Sequence, residues 1–287
     1  MTRFAISLST LVLALAVLPS CQQSMVFPSV TSTATGEYKP GAFVWRDLVT
    51  KDPVAAQRFY GEVFGWTFET LSSKKFSYTV IKNNGQAIGG IFPLPPGAAA
   101  TSSAEWVSVM SVPSVQGAVD LLVSRGGKLI DRVQELSGRG TSAWVMDPEG
   151  AIFGLVRSPI GDPVAQNAAN NGWLWTELWT DKPQQSLTFY QNFAGYEPER
   201  TQDDGRNYWL LKKDGKERAG LVKNPAEGMR SYWMPYIKVA DPVATTAKAK
   251  AAGAKVMVAP QPSLRNNGVA VLVDPTGAPF VIQKWPL

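Results

Sequence analysis

Val44-Trp45-Arg46-Asp47-Leu48-Val49-Thr50 and Leu174-Trp175-Thr176-Glu177-Leu178-Trp179-Thr180 are two versions of one pattern, 130 residues apart. The same offset, without a gap, pairs Pro53 with Pro183, Phe59-Tyr60 with Phe189-Tyr190, and Gly65 with Gly195. It continues through Tyr78 and Tyr208, Gly85 and Gly215, and Gly90 and Gly220. A second block repeats at an offset of 127: Trp106 pairs with Trp233, Gly126 with Gly253, Phe153 with Phe280, and Asp147-Pro148-Glu149-Gly150 with Asp274-Pro275-Thr276-Gly277. A register held over such a length marks the duplication of a folded unit. It divides the chain into residues 42–158 and 172–287, joined by a Gly-, Pro-, Asn- and Ala-rich linker at 159–171. Each half has the size of an ordinary single domain.

Each domain divides again. In every quarter a short apolar strand leads to a helix with Pro or an N-cap residue at its start and Gly past its end. These helices open at Asp52-Pro53, Ser114, Lys182-Pro183 and Asp241-Pro242, and stop before Gly65, Gly126, Gly195 and Gly253. Strands follow, turned by Asn83-Asn84-Gly85 and Lys213-Asp214-Gly215, where both turn residues need positive φ. The two Asp-Pro-x-Gly stretches turn further strands. The expected fold is therefore α+β: four βαβββ modules.

Composition limits the function. The chain has 287 residues, 45% hydrophobic and 18% charged, which describes a globular protein. A net charge of +5 is spread over scattered Lys and Arg, and no nucleic-acid motif accompanies it, so no nucleic-acid partner is expected. There is no histidine, which removes the commonest catalytic base and metal ligand together. The single cysteine, Cys21, excludes an intramolecular disulfide.

The N-terminus has one positive charge at Arg3, an apolar run from Phe4 to Leu18, and then Pro19-Ser20-Cys21. That run is shorter than the roughly 20 residues needed to span a bilayer and reads as a signal peptide over residues 1–20. Leu18-Pro19-Ser20-Cys21 resembles a bacterial lipobox, with Pro19 in place of the usual small residue. The resemblance implies lipidation of Cys21, a membrane anchor and a place in the cell envelope. Gln22 after it points to the outer membrane, facing the periplasm. Residues 21–41, rich in Ser, Thr and Pro, read as the lipidated N-terminus and a flexible tether.

Thr50-Lys51-Asp52-Pro53, Phe59-Tyr60-Gly61-Glu62-Val63-Phe64-Gly65-Trp66 and Asp147-Pro148-Glu149-Gly150 resemble the vicinal oxygen chelate superfamily of glyoxalase I, bleomycin-resistance proteins and extradiol dioxygenases. The resemblance spans residues 42–287. It implies two tandem glyoxalase-like domains, each a curled mixed sheet around a cavity. In metal-dependent members the resemblance places a His on the first strand of a module and a Glu on the last. Here those positions hold Trp45, Val107, Trp175 and Met234, and Gly154 and Val281. None suits a hard cation, so no metal and no cofactor are expected.

Strand alternation puts Trp45 on one face with Asp47, and Trp175 with Glu177. Asp47 and Glu177 are candidate ligand anchors or general bases, or else structural carboxylates. Trp45 and Trp175 either stack on a flat ligand or fill the core. Tyr78, Tyr208, Met234 and Tyr236 complete the candidate ligand-binding set, while the parity of Trp106 and Trp233 sends them to the helix side. Three functions stay open. The first is an exported, anchored protein binding a small molecule without a metal. The second is a superfamily enzyme (lyase, isomerase or dioxygenase-like) using Asp47, Glu177 or an atypical metal site. The third is an assembly role. The chain is expected as a monomer of two paired domains or as a homodimer.

Overall fold

The computed structural model describes residues 25–73, 76–94, 104–164, 168–203, 205–225 and 230–286. Domain 1 runs β1 (Phe43–Thr50), α1 (Pro53–Phe64), β2 (Thr67–Ser72), β3 (Ser77–Asn83), β4 (Gln86–Pro93), β5 (Glu105–Ser111), α2 (Val115–Ser124), β6 (Lys128–Leu129), β7 (Gln134–Leu136), β8 (Gly140–Met146) and β9 (Ile152–Arg157). Domain 2 runs β10 (Trp173–Thr180), α3 (Pro183–Ala194), β11 (Glu197–Asp203), β12 (Arg206–Lys213), β13 (Lys216–Lys223), β14 (Tyr232–Lys238), α4 (Pro242–Ala251), β15 (Lys255–Val258), β16 (Val269–Val273) and β17 (Pro279–Gln283). The βαβββ plan holds four times, with β7 as an added strand on β8.

Helix ends follow local chemistry. The Asp52 side chain accepts from Ala55 N, and Asp241 accepts from Val243 N and Ala244 N. Gly65 and Gly195 take the left-handed conformation that closes α1 and α3. Lys182 supplies no side-chain cap to α3.

The strand order is β2-β3-β4-β1-β5-β9-β8-β6 in domain 1 and β11-β12-β13-β10-β14-β17-β16-β15 in domain 2. The first strands of paired modules, β1 with β5 and β10 with β14, join antiparallel, so each domain is one mixed sheet. Phe92 on β4 and Trp144 on β8 stand four strands apart in that order. Their ring centroids are nevertheless 5.3 Å apart. Flat strands are spaced about 4.8 Å from their neighbours, so only a curled sheet brings these rings together.

The two domains share their cores. One cluster joins Val119, Leu122 and Phe153 of domain 1 to Phe189, Tyr190 and Trp233 of domain 2. The other joins Phe59, Tyr60 and Trp106 to Ala249, Phe280 and Ile282. Repeat-equivalent contacts recur across the interface. Tyr60 OH donates to Asp274 at 3.0 Å and accepts from Trp106 Nε1 at 2.7 Å. Tyr190 OH donates to Asp147 at 2.9 Å and accepts from Trp233 Nε1 at 2.8 Å. Trp66 Nε1 donates to Asn171 O, and Tyr196 OH to Gly41 O. Arg46 donates to Thr176, its own counterpart at the 130-residue offset. The chain is thus a pseudo-symmetric dimer within one polypeptide.

One expectation needs correction. The tether expected over 21–41 is a packed segment from Met25 onward. Phe27 N donates to Ser137 O at 2.7 Å, Thr35 N to Ile160 O at 2.9 Å, and Lys39 N to Asp162 Oδ2 at 2.7 Å. Val30 is 3% exposed. A Ser/Thr/Pro-rich average concealed two apolar anchors, Phe27 and Val30, spaced to reach the sheet. The buried Asp162 that holds this segment belongs to the expected linker, which is therefore also fastened to domain 1. Gly89 and Gly90 lie inside β4, Gly89 beside the register shift between β3 and β4. A Cβ at Gly90 would stand 1.7 Å from the Tyr78 hydroxyl. Residues 1–20, Cys21 and the expected lipobox lie outside the described residues.

Candidate functional site

On the concave face of domain 1, β1 presents Trp45 and Asp47 side by side. Trp45 Nε1 donates to Asp47 Oδ1 at 2.9 Å, and Tyr78 OH donates to the same oxygen at 2.7 Å. Arg139, from the turn before β8, places Nη1 3.1 Å from Asp47 Oδ2 and Nη2 2.7 Å from Tyr78 OH. Its guanidinium lies 4.7 Å from the Trp45 ring centroid. Burial alone lowers the Arg139 pKa; Tyr78 and Asp47 outweigh it and the net shift is upward. Burial raises the Tyr78 phenol, which stays a neutral donor.

The cavity above this network is filled by the chain's own N-terminal segment. The Phe27 ring sits 5.1 Å from Tyr78 and 6.2 Å from Phe92, with the Arg139 guanidinium 5.5 Å away. Pro28 O accepts from Arg139 Nε at 3.2 Å. Val30 packs on Trp45, Val109 and Val156. Trp45, Asp47, Tyr78 and Arg139 are all at most 2% exposed.

Domain 2 repeats the frame with a different finish. Glu177 accepts from Tyr208 OH at 3.2 Å, from Trp179 Nε1 at 3.2 Å and from Tyr236 OH. Trp175 Nε1 donates to Tyr208 OH at 2.9 Å. Gly220 leaves the space Tyr208 needs, since a Cβ there would stand 1.9 Å from its hydroxyl. Burial, and then the charge of Glu177, hold the Tyr208 and Tyr236 phenols above their ordinary range, so both remain donors. Met234 lies opposite Glu177 and is 1% exposed. Arg265 Nη2 stands 4.0 Å from Glu177 Oε1, and its Nη1 donates to Gln283 at 2.5 Å. The Arg265, Asn266 and Asn267 backbones all take positive φ, which swings this arginine inward. Trp175 is half-buried, whereas its counterpart Trp45 is 1% exposed.

The expected ligand-binding residues thus fall into two clusters, Trp45-Asp47-Tyr78 and Trp175-Glu177-Tyr208-Met234-Tyr236. Arg139 and Arg265 were missed. They sit one residue out of register at the 127-residue offset, so the repeat does not reveal them. The available signal was one arginine between two glycines, Gly138-Arg139-Gly140.

The metal positions of the superfamily fit no metal here. Across β1, β5 and β9 the aligned row is Trp45, Val109 and Gly154, so Val109 and not Val107 stands opposite Trp45. In domain 2 the row is Trp175, Tyr236 and Val281, so Tyr236 and not Met234 stands opposite Trp175. These rows hold indoles, aliphatic groups, a glycine and one phenol kept protonated. Among the described residues no three His, Cys, Asp or Glu side chains converge to hold an ion.

A family profile described as a glyoxalase-like domain matches residues 175–283. The Mycobacterium bovis protein CFP32, named provisionally as a glyoxylase, is 34% identical over 253 residues, covering 86% of this chain and 96% of its own. The anthracycline biosynthesis protein DauV of Streptomyces sp. is 26% identical over 260 residues, covering 86% and 94%. Among solved structures, the Mn(II)-bound glyoxalase of Novosphingobium aromaticivorans superposes with a TM-score of 0.56 at 14% identity, over 85% of this chain and 82% of that one. A homoprotocatechuate 2,3-dioxygenase variant from B. fuscum superposes with a TM-score of 0.57 at 14% identity, over 91% and 74%. At such identities the structural likeness is one of fold.

Proposed function

The chain belongs to the glyoxalase-like proteins of the vicinal oxygen chelate superfamily, and on that premise we propose that it binds a small, partly aromatic molecule on the concave face of domain 2, without a metal. One observation carries this reading. Both domains present a carboxylate, a tyrosine, a tryptophan and an arginine, yet domain 1 is filled by Phe27 and Val30 while Trp175 stays half-buried, linked to Glu177 through Tyr208. Concave, largely apolar surfaces with a few placed polar groups are the usual form of ligand sites. Asp47 is a structural carboxylate in this reading, because Arg139 pairs with it at 3.1 Å beneath a cavity that Phe27 and Val30 fill, whereas Arg265 stands 4.0 Å from Glu177.

Glu177 is an anchor whose position is held by three donors. Titration of EDTA-treated protein with aromatic small molecules, followed by tryptophan fluorescence, tests this. Quenching that survives chelation and falls by roughly tenfold or more in affinity in Trp175→Ala is expected, a loss of about 1.4 kcal/mol. Binding or turnover that appears only with added divalent metal overturns the metal-free reading and favours an enzyme of the superfamily.

We further propose export and anchoring through Cys21, supported by the apolar run Phe4–Leu18 and the following cysteine. Among the described residues no helix is long and apolar enough to cross a membrane, so the lipid is the anchor in this reading. Three residues, 22–24, separate Cys21 from the packed segment. The four steps from Cys21 to Met25, at about 3.5 Å each, reach at most about 14 Å, so domain 1 sits close to the bilayer in this reading. Palmitate labelling that persists in Cys21→Ser overturns this assignment. The paired domains already bury each other's helix faces, which favours a monomer.

A further inference from the structure

The occupant of domain 1 indicates what domain 2 takes. Phe27 and Pro28 present two groups to the domain 1 cavity: a phenyl ring held by Tyr78 and Phe92, and a carbonyl oxygen held by Arg139 Nε at 3.2 Å. The main chain is also fastened there, with Phe27 N donating to Ser137 O. The segment behaves as a ligand that is covalently attached.

Connectivity denies domain 2 the same occupant. The residue 130 positions after Phe27 is Arg157, the last residue of β9, which is committed to the sheet of domain 1. Yet the receiving groups are repeated. Tyr208 stands where Tyr78 does, and Arg265 approaches Glu177 as Arg139 approaches Asp47. Two large walls are reduced: Phe92 is replaced by Val222 and Trp144 by Val271 at the repeat offsets. Both valines join the cluster around Trp179, Met234 and Tyr236, and both are only partly buried. Two walls are thus smaller in domain 2, and an aromatic face remains at the half-buried Trp175.

We infer that domain 2 takes from solution an aromatic compound bearing a carbonyl oxygen about as far from its ring as the prolyl carbonyl of a Phe-Pro pair. The ring lies against Trp175 and Tyr208, and the oxygen accepts from Arg265. This rests on the reading of domain 2 as the binding domain and adds the ligand class.

The test uses the full chain and two matched probes. N-acetyl-L-phenylalanyl-L-prolinamide carries the ring and the second carbonyl; N-acetyl-L-phenylalanyl-pyrrolidine keeps the ring and lacks that carbonyl. Calorimetric titration is expected to show one equivalent of the prolinamide binding, roughly tenfold tighter than the pyrrolidide, as one charge-assisted hydrogen bond provides. Arg265→Met is expected to remove that preference, so that both probes bind within about twofold of one another. Trp175→Ala weakens both probes.

Equal affinity for the two probes overturns the inference, as does a preference unchanged in Arg265→Met. Binding seen only in Phe27→Ala assigns the probes to domain 1 and overturns it as well. If neither probe binds while other aromatic molecules quench in a Trp175-dependent way, the ligand class fails and the binding reading of domain 2 stands. If no small molecule of any class depends on Trp175, both fail together.

Discussion

Asp47 and Glu177 occupy the same repeat position and differ in what surrounds them. Asp47 forms a buried pair with Arg139, 1% and 2% exposed. Breaking such a pair by removing one charge leaves the other without compensation, at a cost of about 3–5 kcal/mol. Asp47→Ala is therefore expected to lower stability by that order in urea unfolding, without touching ligand binding in domain 2. Gly90 and Gly220 exist to let a tyrosine hydroxyl reach each carboxylate. Gly220→Ala drives a methyl into Tyr208 and is expected to cost about 1–3 kcal/mol, as overpacking does. Asp147 carries a pH dependence. Burial pushes its carboxyl up to about 6 from 3.8, against the opposing hydrogen bonds from Ala151 N, Tyr190 OH and Glu149 N. A folded pKa raised above the unfolded value means that this contribution to stability is full below pH 3.8 and is lost as pH rises towards 6. Asp147→Asn does not titrate. The stability of wild type relative to this variant is expected to fall between pH 4 and pH 6, by on the order of 2–3 kcal/mol. A flat difference across that range counts against the assignment.

At the scale of elements, the first strand of each module does the most. It is central in its sheet, it sets which residues face the cavity, and it joins the two modules of a domain. The packed segment 25–41 is the other decisive element. Removing its ring in Phe27→Ala is expected to destabilise domain 1 by about 3–5 kcal/mol, the usual range for a core phenylalanine, and to admit solvent to Arg139. Unfolding by denaturant measures the first effect; loss of hydrogen-exchange protection in β3 measures the second. Helix α1 tests local chemistry alone. Asp52→Ala deletes the cap on Ala55 N and is expected to cost about 1 kcal/mol in the same assay.

At the scale of the whole molecule, neither domain owns its cores. Both clusters draw side chains from both domains, and the Tyr60–Asp274 and Tyr190–Asp147 bonds cross between them. Scanning calorimetry is expected to give one transition with equal calorimetric and van't Hoff enthalpies, whereas independent domains give two. Residues 42–158 expressed alone would expose the α1 and α2 faces that α4 and α3 now cover, and are expected to aggregate.

The internal offsets by themselves determined the module count, the helix ends and the parity that puts Trp45 with Asp47 and Trp175 with Glu177. These are legible because capping, turn formation and strand alternation act over a few residues. The same offsets identified which positions a metal would have used and that indoles, aliphatic groups and glycine stand there. Only the tertiary structure decided what those sites became. Arg139 and Arg265 reach their carboxylates from loops 92 and 88 residues downstream, and no local rule connects residues at that distance. The role of Phe27 and Val30 was hidden for a related reason. Composition averages a segment, while burial depends on where its two apolar side chains land, and here they land against Trp45 and Tyr78 in domain 1.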